Sequence, residues 1–234
     1  MMILLCAMFW MILSWVAVPV AAAVDLLPNL QALPAEDIHL ETTSSGRTLL
    51  LFSATSWNNG TGPLELVAGA VDRRRKKQKV YQRVYAEDGS YRSRLAGSFV
   101  WHQQHNHFHF QNYARYILKP VTAGGAERTS IKTTFCVMDT TPVNTELPEA
   151  PQAPVYRTCG RSVQGMSVGW GDTYEYYLAG QEIDVTDLPD GIYELKIVVD
   201  PRNLLLESDG TDNTSWVKIR LRGDTVQVIS TSEE

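Results

Sequence analysis

The chain has 234 residues, 44% hydrophobic and 20% charged, with a net charge of −5 and three cysteines. The acidic balance argues against a nucleic-acid binder, whose affinity rests on neutralising phosphates with Lys and Arg. Residues 1–23 carry no charge and end Val18-Pro19-Val20-Ala21-Ala22-Ala23, which reads as a secretory signal cut after Ala23. Its start lacks the usual Lys or Arg, and about 20 apolar residues would also span a bilayer, so an uncleaved anchor is the alternative. The remainder, 24–234, is long enough to bury a core and fold alone as one domain, with no stable membrane partner expected beyond the leader.

Downstream the pattern is β throughout. Strands are predicted at Leu49–Ala54, Val80–Tyr85, His105–Leu118, Ile131–Val137, Ile192–Val199 and Trp216–Leu221. The alternation is clearest where Tyr193, Leu195, Ile197 and Val199 share one face, and where Val217, Ile219 and Leu221 do the same. Asn58-Asn59-Gly60, Asp88-Gly89, Asp190-Gly191, Asp209-Gly210 and Gly223-Asp224 supply turns. Outside the leader no segment carries a sustained helical apolar stripe. The expectation is an all-β fold, a single antiparallel β-sandwich-like domain with long loops.

Three segments stand apart from this background. Arg73-Arg74-Arg75-Lys76-Lys77-Gln78-Lys79 is strongly basic and reads as a solvated loop between strands, with docking to an anionic surface as the alternative. Pro142 to Pro154 reads as an exposed excursion. Asp209 to Asn213 is acidic and reads as a plain turn rather than a calcium loop, since its spacing matches no such loop. Cys136 and Cys159, left after the leader, read as a disulfide in an exported chain, or else as two buried thiols.

The strongest local signal is Trp101-His102-Gln103-Gln104-His105-Asn106-His107-Phe108-His109, which holds four of the five histidines. His105, His107 and His109 share strand parity, and imidazole suits copper, zinc, nickel or iron. Adjacent rings of this series start about 6.6 Å apart and the outer two about 13 Å apart, so joining all three on one ion needs twist or a bulge. His102 has the opposite parity. A strand face packed on aromatics is the competing explanation.

With these segments in view, the chain resembles the catalytic domain of the lysyl oxidase family, over roughly Tyr81 to Gly223. The histidine segment looks like that family's copper motif, and Lys132-Thr133-Thr134-Phe135-Cys136 is similar to its K-x-x-F-C element. Gln164-Gly165-Met166-Ser167, Asp172-Thr173-Tyr174, Gln181-x-Ile183-Asp184-Val185-Thr186, Asp200-Pro201 and Glu207-Ser208-Asp209-x-Thr211-x-Asn213 follow in order.

The resemblance implies copper held by His105, His107 and His109, and a lysine tyrosylquinone cofactor made from Lys132 and Tyr174. It implies oxidative deamination of primary amines, protein lysine side chains or small amines, to aldehydes, with dioxygen consumed and hydrogen peroxide and ammonia released. It also strengthens the pairing of Cys136 with Cys159. Proton abstraction beside an imine needs a base, for which Asp172 is the candidate. Arg115 stands where animal members have a further histidine, and Glu175-Tyr176-Tyr177-Leu178 replaces a small acidic stretch. The simple build fits a prokaryotic member. The competing function is a non-catalytic exported copper- or zinc-binding protein for metal handling or adhesion. A cupin-like dioxygenase lacks the downstream glutamate and histidine its ligand set requires.

Overall fold

The computed structural model describes residues 23–74, 76–103, 106–122 and 125–232. Among them there is no helix. In chain order the strands are β1 (Asp25–Leu26), β2 (Leu30–Ala32), β3 (Glu36–Thr42), β4 (Thr48–Asn58), β5 (Leu64–Asp72) and β6 (Lys77–Ala86). Next come β7 (Tyr91–His102), β8 (His107–Gln111), β9 (Ala114–Pro120), β10 (Arg128–Thr129), β11 (Thr134–Phe135) and β12 (Thr141–Pro142). The last six are β13 (Val163–Met166), β14 (Trp170–Tyr174), β15 (Glu182–Asp184), β16 (Gly191–Val199), β17 (Thr214–Arg222) and β18 (Thr225–Thr231).

They form three antiparallel sheets. One runs β11-β8-β7-β6-β5-β13 with β1 added on β6, one runs β10-β9-β16-β17-β18, and one gathers β2, β3, β14 and β15 around β4, with β12 beyond β14. The all-β antiparallel expectation therefore holds. Phe52, Phe99, Phe110, Tyr116, Leu195 and Ile219 bring the three sheets into one core. On β16 and β17 the alternation works as expected: Tyr193, Leu195, Ile197, Val217, Ile219 and Leu221 are buried, while Glu194 and Lys196 pair at 3.0 Å on the wetter face.

Two predicted strands differ from what is observed. His105–Leu118 is not one strand: the chain breaks between β8 and β9, where Asn112 takes a left-handed φ of 63°. Asparagine tolerates that conformation through local polar contacts of its short side chain. The break passes the chain from the first sheet to the second. Tyr113, buried at the crossing, fixes it through a 2.8 Å hydrogen bond between its hydroxyl and Ser56 Oγ. Ile131–Val137 shrinks to the two-residue β11, with Ile131 92% exposed. Periodicity alone misses this, because a β-branched residue in an apolar run does not reveal whether a neighbouring strand is available.

Cys136 and Cys159 form a disulfide, with Cα atoms 5.4 Å apart. Asp139, just inside the covalent loop, accepts hydrogen bonds from the backbone N–H groups of Val155, Tyr156 and Ser167, and from Ser167 Oγ. The Pro142–Pro154 excursion is thus tied at its base. Closing a loop of 23 residues stabilises by about 2–4 kcal/mol. The double variant Cys136→Ser/Cys159→Ser is expected to lose about that much in a urea melt; an unchanged midpoint and slope would contradict it.

Candidate functional site

The histidine segment is a hairpin. β7 ends at His102 and β8 begins at His107, and these two residues sit opposite each other in the ladder. Asn106 in the turn has a φ of 55°. His107 and His109 point from one face of β8, and their Nε2 atoms approach to 2.8 Å. Two ring nitrogens that close share one proton, so at least one presents a lone pair. His109 is fully buried; its Nδ1 lies 3.1 Å from Thr134 Oγ1, and its ring stacks on His102 at 4.6 Å between centroids. Opposite parity therefore did not keep His102 away, since the hairpin folds it back across the ladder.

The expected third ligand, His105, lies outside the described residues. Among the described residues no set of three His, Cys, Asp or Glu side chains is arranged to ligate one ion. The two that converge fit a metal. Nitrogens 2.8 Å apart can both reach an ion at about 2.0–2.1 Å, and Thr134 Oγ1 on the far nitrogen of His109 supplies the kind of hydrogen bond that orients a ligating imidazole.

Lys132 and Tyr174 meet although 42 positions separate them. Tyr174 ends β14, which pairs with β4. Its hydroxyl donates to the Cys136 carbonyl at 2.9 Å and accepts the Cys136 N–H at 2.8 Å. The Phe135 ring packs edge-on to it at 4.9 Å. Lys132 Nζ hangs 4.2 Å from the Tyr174 ring centroid and donates to the Ala179 carbonyl at 3.1 Å. Gly180, with φ +87°, closes the slot: a Cβ there would lie 2.8 Å from Lys132 Cδ. Only a residue without a side chain lets the backbone lie so flat on the lysine stem.

Burial dominates the electrostatics. It lowers the Lys132 pKa to about 8, against the opposing pull of Asp172 and Glu182. It raises the Tyr174 phenol well above its ordinary value, and the Asp172 carboxyl likewise. Asp172 is buried two residues before Tyr174, and its Oδ2 has no hydrogen-bond partner.

A cavity of about 380 Å³ brings His107, Asp172 and Tyr174 to one wall system, together with Met138, Cys159 and Leu178. A second cavity of about 380 Å³ borders His102, Lys132, Thr134 and Glu182. The histidine hairpin and the Lys132/Tyr174 contact are thus neighbours. Gln164 ties the two regions, donating to the Phe108 carbonyl at 2.7 Å and accepting from the Val137 N–H at 3.2 Å. Arg115 is elsewhere, in a 3.7 Å surface pair with Glu127.

The Lysyl oxidase family model matches residues 73–231 of this sequence. The chain belongs to the lysyl oxidase family. It is 33% identical to the human protein Lysyl oxidase homolog 1 over 127 residues, which is 54% of this chain and 21% of that protein. It is 33% identical to chicken Protein-lysine 6-oxidase over 134 residues, 56% of this chain and 30% of that one. Against Lysyl oxidase homolog 2 of chicken, 195 residues align at 27% identity, covering 83% of this chain and 21% of the relative. The chain therefore spans less than a third of the length of each of these three relatives.

Within this lysyl oxidase family member, Thr134, Gly180 and Met138 border the candidate site, and sequence reasoning missed them. Thr134 sits inside the K-x-x-F-C element, and its parity with Lys132 was the available signal. Gly180 and Met138 carried none. Thr134→Val removes the oxygen facing His109 Nδ1 while keeping the shape, and is expected to weaken metal affinity about 10–100-fold. Competition with a chromophoric chelator measures this; unchanged affinity would remove Thr134 from the metal's surroundings.

Proposed function

We propose that this protein is an exported copper-dependent amine oxidase that converts primary amines, R–CH2–NH2, with dioxygen and water, into R–CHO, ammonia and hydrogen peroxide. The observation that carries the reading is the Lys132 amine 4.2 Å from the centre of the Tyr174 ring, beside a cavity that also borders His107. His105, His107 and His109 are the residues that would hold copper, with Thr134 behind His109. When bound, copper with dioxygen supplies the oxidising power for making a lysine tyrosylquinone from Tyr174 and Lys132.

The chain's own residues do the rest. Lys132 can add to an oxidised ring only as a free amine, and burial puts a useful fraction in that form near neutral pH. The two hydrogen bonds to Cys136 fix the ring plane, so that one face stays under Lys132 while the residue borders the cavity. Asp172, with an oxygen left unpartnered, is the proposed base for the substrate Cα proton. Burial pushes its carboxyl pKa up, and an ammonium entering beside Oδ2 favours ionisation. Dioxygen and a primary amine, including a protein lysine side chain, are the partners. Export rests on residues 1–23, the proposed leader, which lie before the first strand and, apart from Ala23, outside the described residues; residues 24–234 are then the catalytic domain. No helix among the described residues is long and apolar enough to cross a membrane.

The test is to load the mature protein with copper under air and look for three things together: a visible quinone band, a Lys132–Tyr174 cross-linked peptide, and amine-dependent peroxide. Tight metal binding with none of them would replace this reading with a non-catalytic metal-binding role.

A further inference from the structure

We infer that the cavity beside Tyr174 selects primary monoamines with an apolar tail and rejects diamines and polyamines. The inference rests on the amine oxidase reading and names the substrate class for it.

Three observations carry it. The cavity wall away from the reacting groups is mostly apolar and soft, made by Met138, the Cys159 half of the disulfide and Leu178 beside Thr140 and Thr173, with the Met138 and Cys159 sulfurs 3.7 Å apart. Soft thioether and disulfide surfaces adapt to hydrocarbon of varied shape.

Second, no carboxylate is available to a distal ammonium. Asp172 is the one acidic residue lining the cavity, and it belongs at the reacting end. Both oxygens of nearby Asp139 are turned onto backbone N–H groups of 155, 156 and 167. Glu182 lines the other cavity, on the Lys132 side. A second ammonium would therefore leave water for an apolar wall that offers it no carboxylate partner, which is unfavourable.

Third, the basic run straddles the tip joining β5 and β6: Arg73, Arg74 and Lys76 are exposed before β6, and Lys77, Gln78 and Lys79 begin that strand, so the predicted loop reading holds for the first part of the run alone. Lys77 pairs with Val100, two residues before His102, so the tip lies alongside the histidine hairpin at the same sheet end. Its field opposes the approach of polycations. Tyr176 and Tyr177, exposed and packed edge-on to each other, immediately precede the lining residue Leu178.

Met138 gives a probe that needs no cofactor. After residue 23 the sequence contains two methionines, Met138 and Met166, and Met166 is fully buried on β13. Methyl-13C methionine spectra of the metal-free protein are titrated with hexylamine and with 1,6-diaminohexane, a matched pair sharing the reacting end. Hexylamine is expected to shift the Met138 signal and leave Met166 still, with the diamine requiring at least tenfold more. In the copper-loaded enzyme, kcat/KM for hexylamine should exceed that for the diamine at least tenfold. Leu178→Glu, at a half-exposed position, should collapse both ratios by giving the second ammonium a partner. Equal response to the two amines, no Met138 shift, or ratios untouched by Leu178→Glu would each overturn the assignment. A Met138 shift in a protein that never forms quinone would sink the oxidase reading and leave the binding preference standing.

Discussion

Lys132→Arg is expected to abolish the quinone band and drop amine turnover to the uncatalysed level, a loss of about 10^6-fold or more. Arginine keeps a positive charge over the Tyr174 face, where a cation is attracted by the ring, so the local packing is preserved. What it cannot do is shed its proton and attack an oxidised ring, because guanidinium stays charged at any ordinary pH. Tyr174→Phe removes the same cofactor from the other side, and also leaves the Cys136 N–H and C=O without their partner. Both variants should retain metal. In the unmodified protein, the rate of quinone formation after copper addition should rise with pH through about 8 and then level off, because Lys132 is protonated below that value and free above it. Visible absorbance followed between pH 6 and 9 reads this directly. A Lys132→Arg protein that still develops the band would end the cofactor assignment.

His107→Ala carries the second large effect. His107 is half-buried at the start of β8, so its removal costs little packing, whereas it deletes one of two nitrogens 2.8 Å apart. Metal retained after dialysis should fall by more than the ~10–100-fold expected for an outer partner such as Thr134, and the quinone should not form. His109→Ala should do the same and in addition destabilise the fold by about 1–3 kcal/mol, because a fully buried ring is lost and Thr134 Oγ1 is left without its partner. Metal analysis together with a denaturant melt separates the two variants. Full metal occupancy in His107→Ala would remove that residue from the ligand set.

What could be read from residue order alone followed from local physics. Tyr193 to Val199 and Val217 to Leu221 alternate because one face of each meets the core, and that rule needs no knowledge of neighbours. The turns at Asn58-Asn59-Gly60, Asp88-Gly89 and Gly223-Asp224 were equally plain, since their backbone demands are met by few residue types. The break at Asn112 was not legible, because asparagine in an apolar run is compatible with both a strand and a left-handed corner. At the site, motif order pointed to Lys132, Tyr174 and the histidines. The clamp that holds Lys132 was invisible: Ala179 offers only a carbonyl and Gly180 only an absence, and both matter solely through what packs against them. His102 shows the same limit, as strand parity said it pointed away and the hairpin returned it to the cluster.

The phenol of Tyr174 hangs from the main chain of a half-cystine, and that has a mechanical corollary. The proline-rich stretch between 143 and 154 is joined to residue 136 through the disulfide and the Asp139 hydrogen bonds, and to β14 itself, where Trp170 Nε1 donates to the Pro151 carbonyl and Val143 and Asn144 donate to the Gly169 carbonyl just before that strand. The strand that carries Tyr174 is thereby braced at its far end by that appendage. A change there that breaks the Trp170–Pro151 bond would therefore be felt along β14 as well as in the excursion itself.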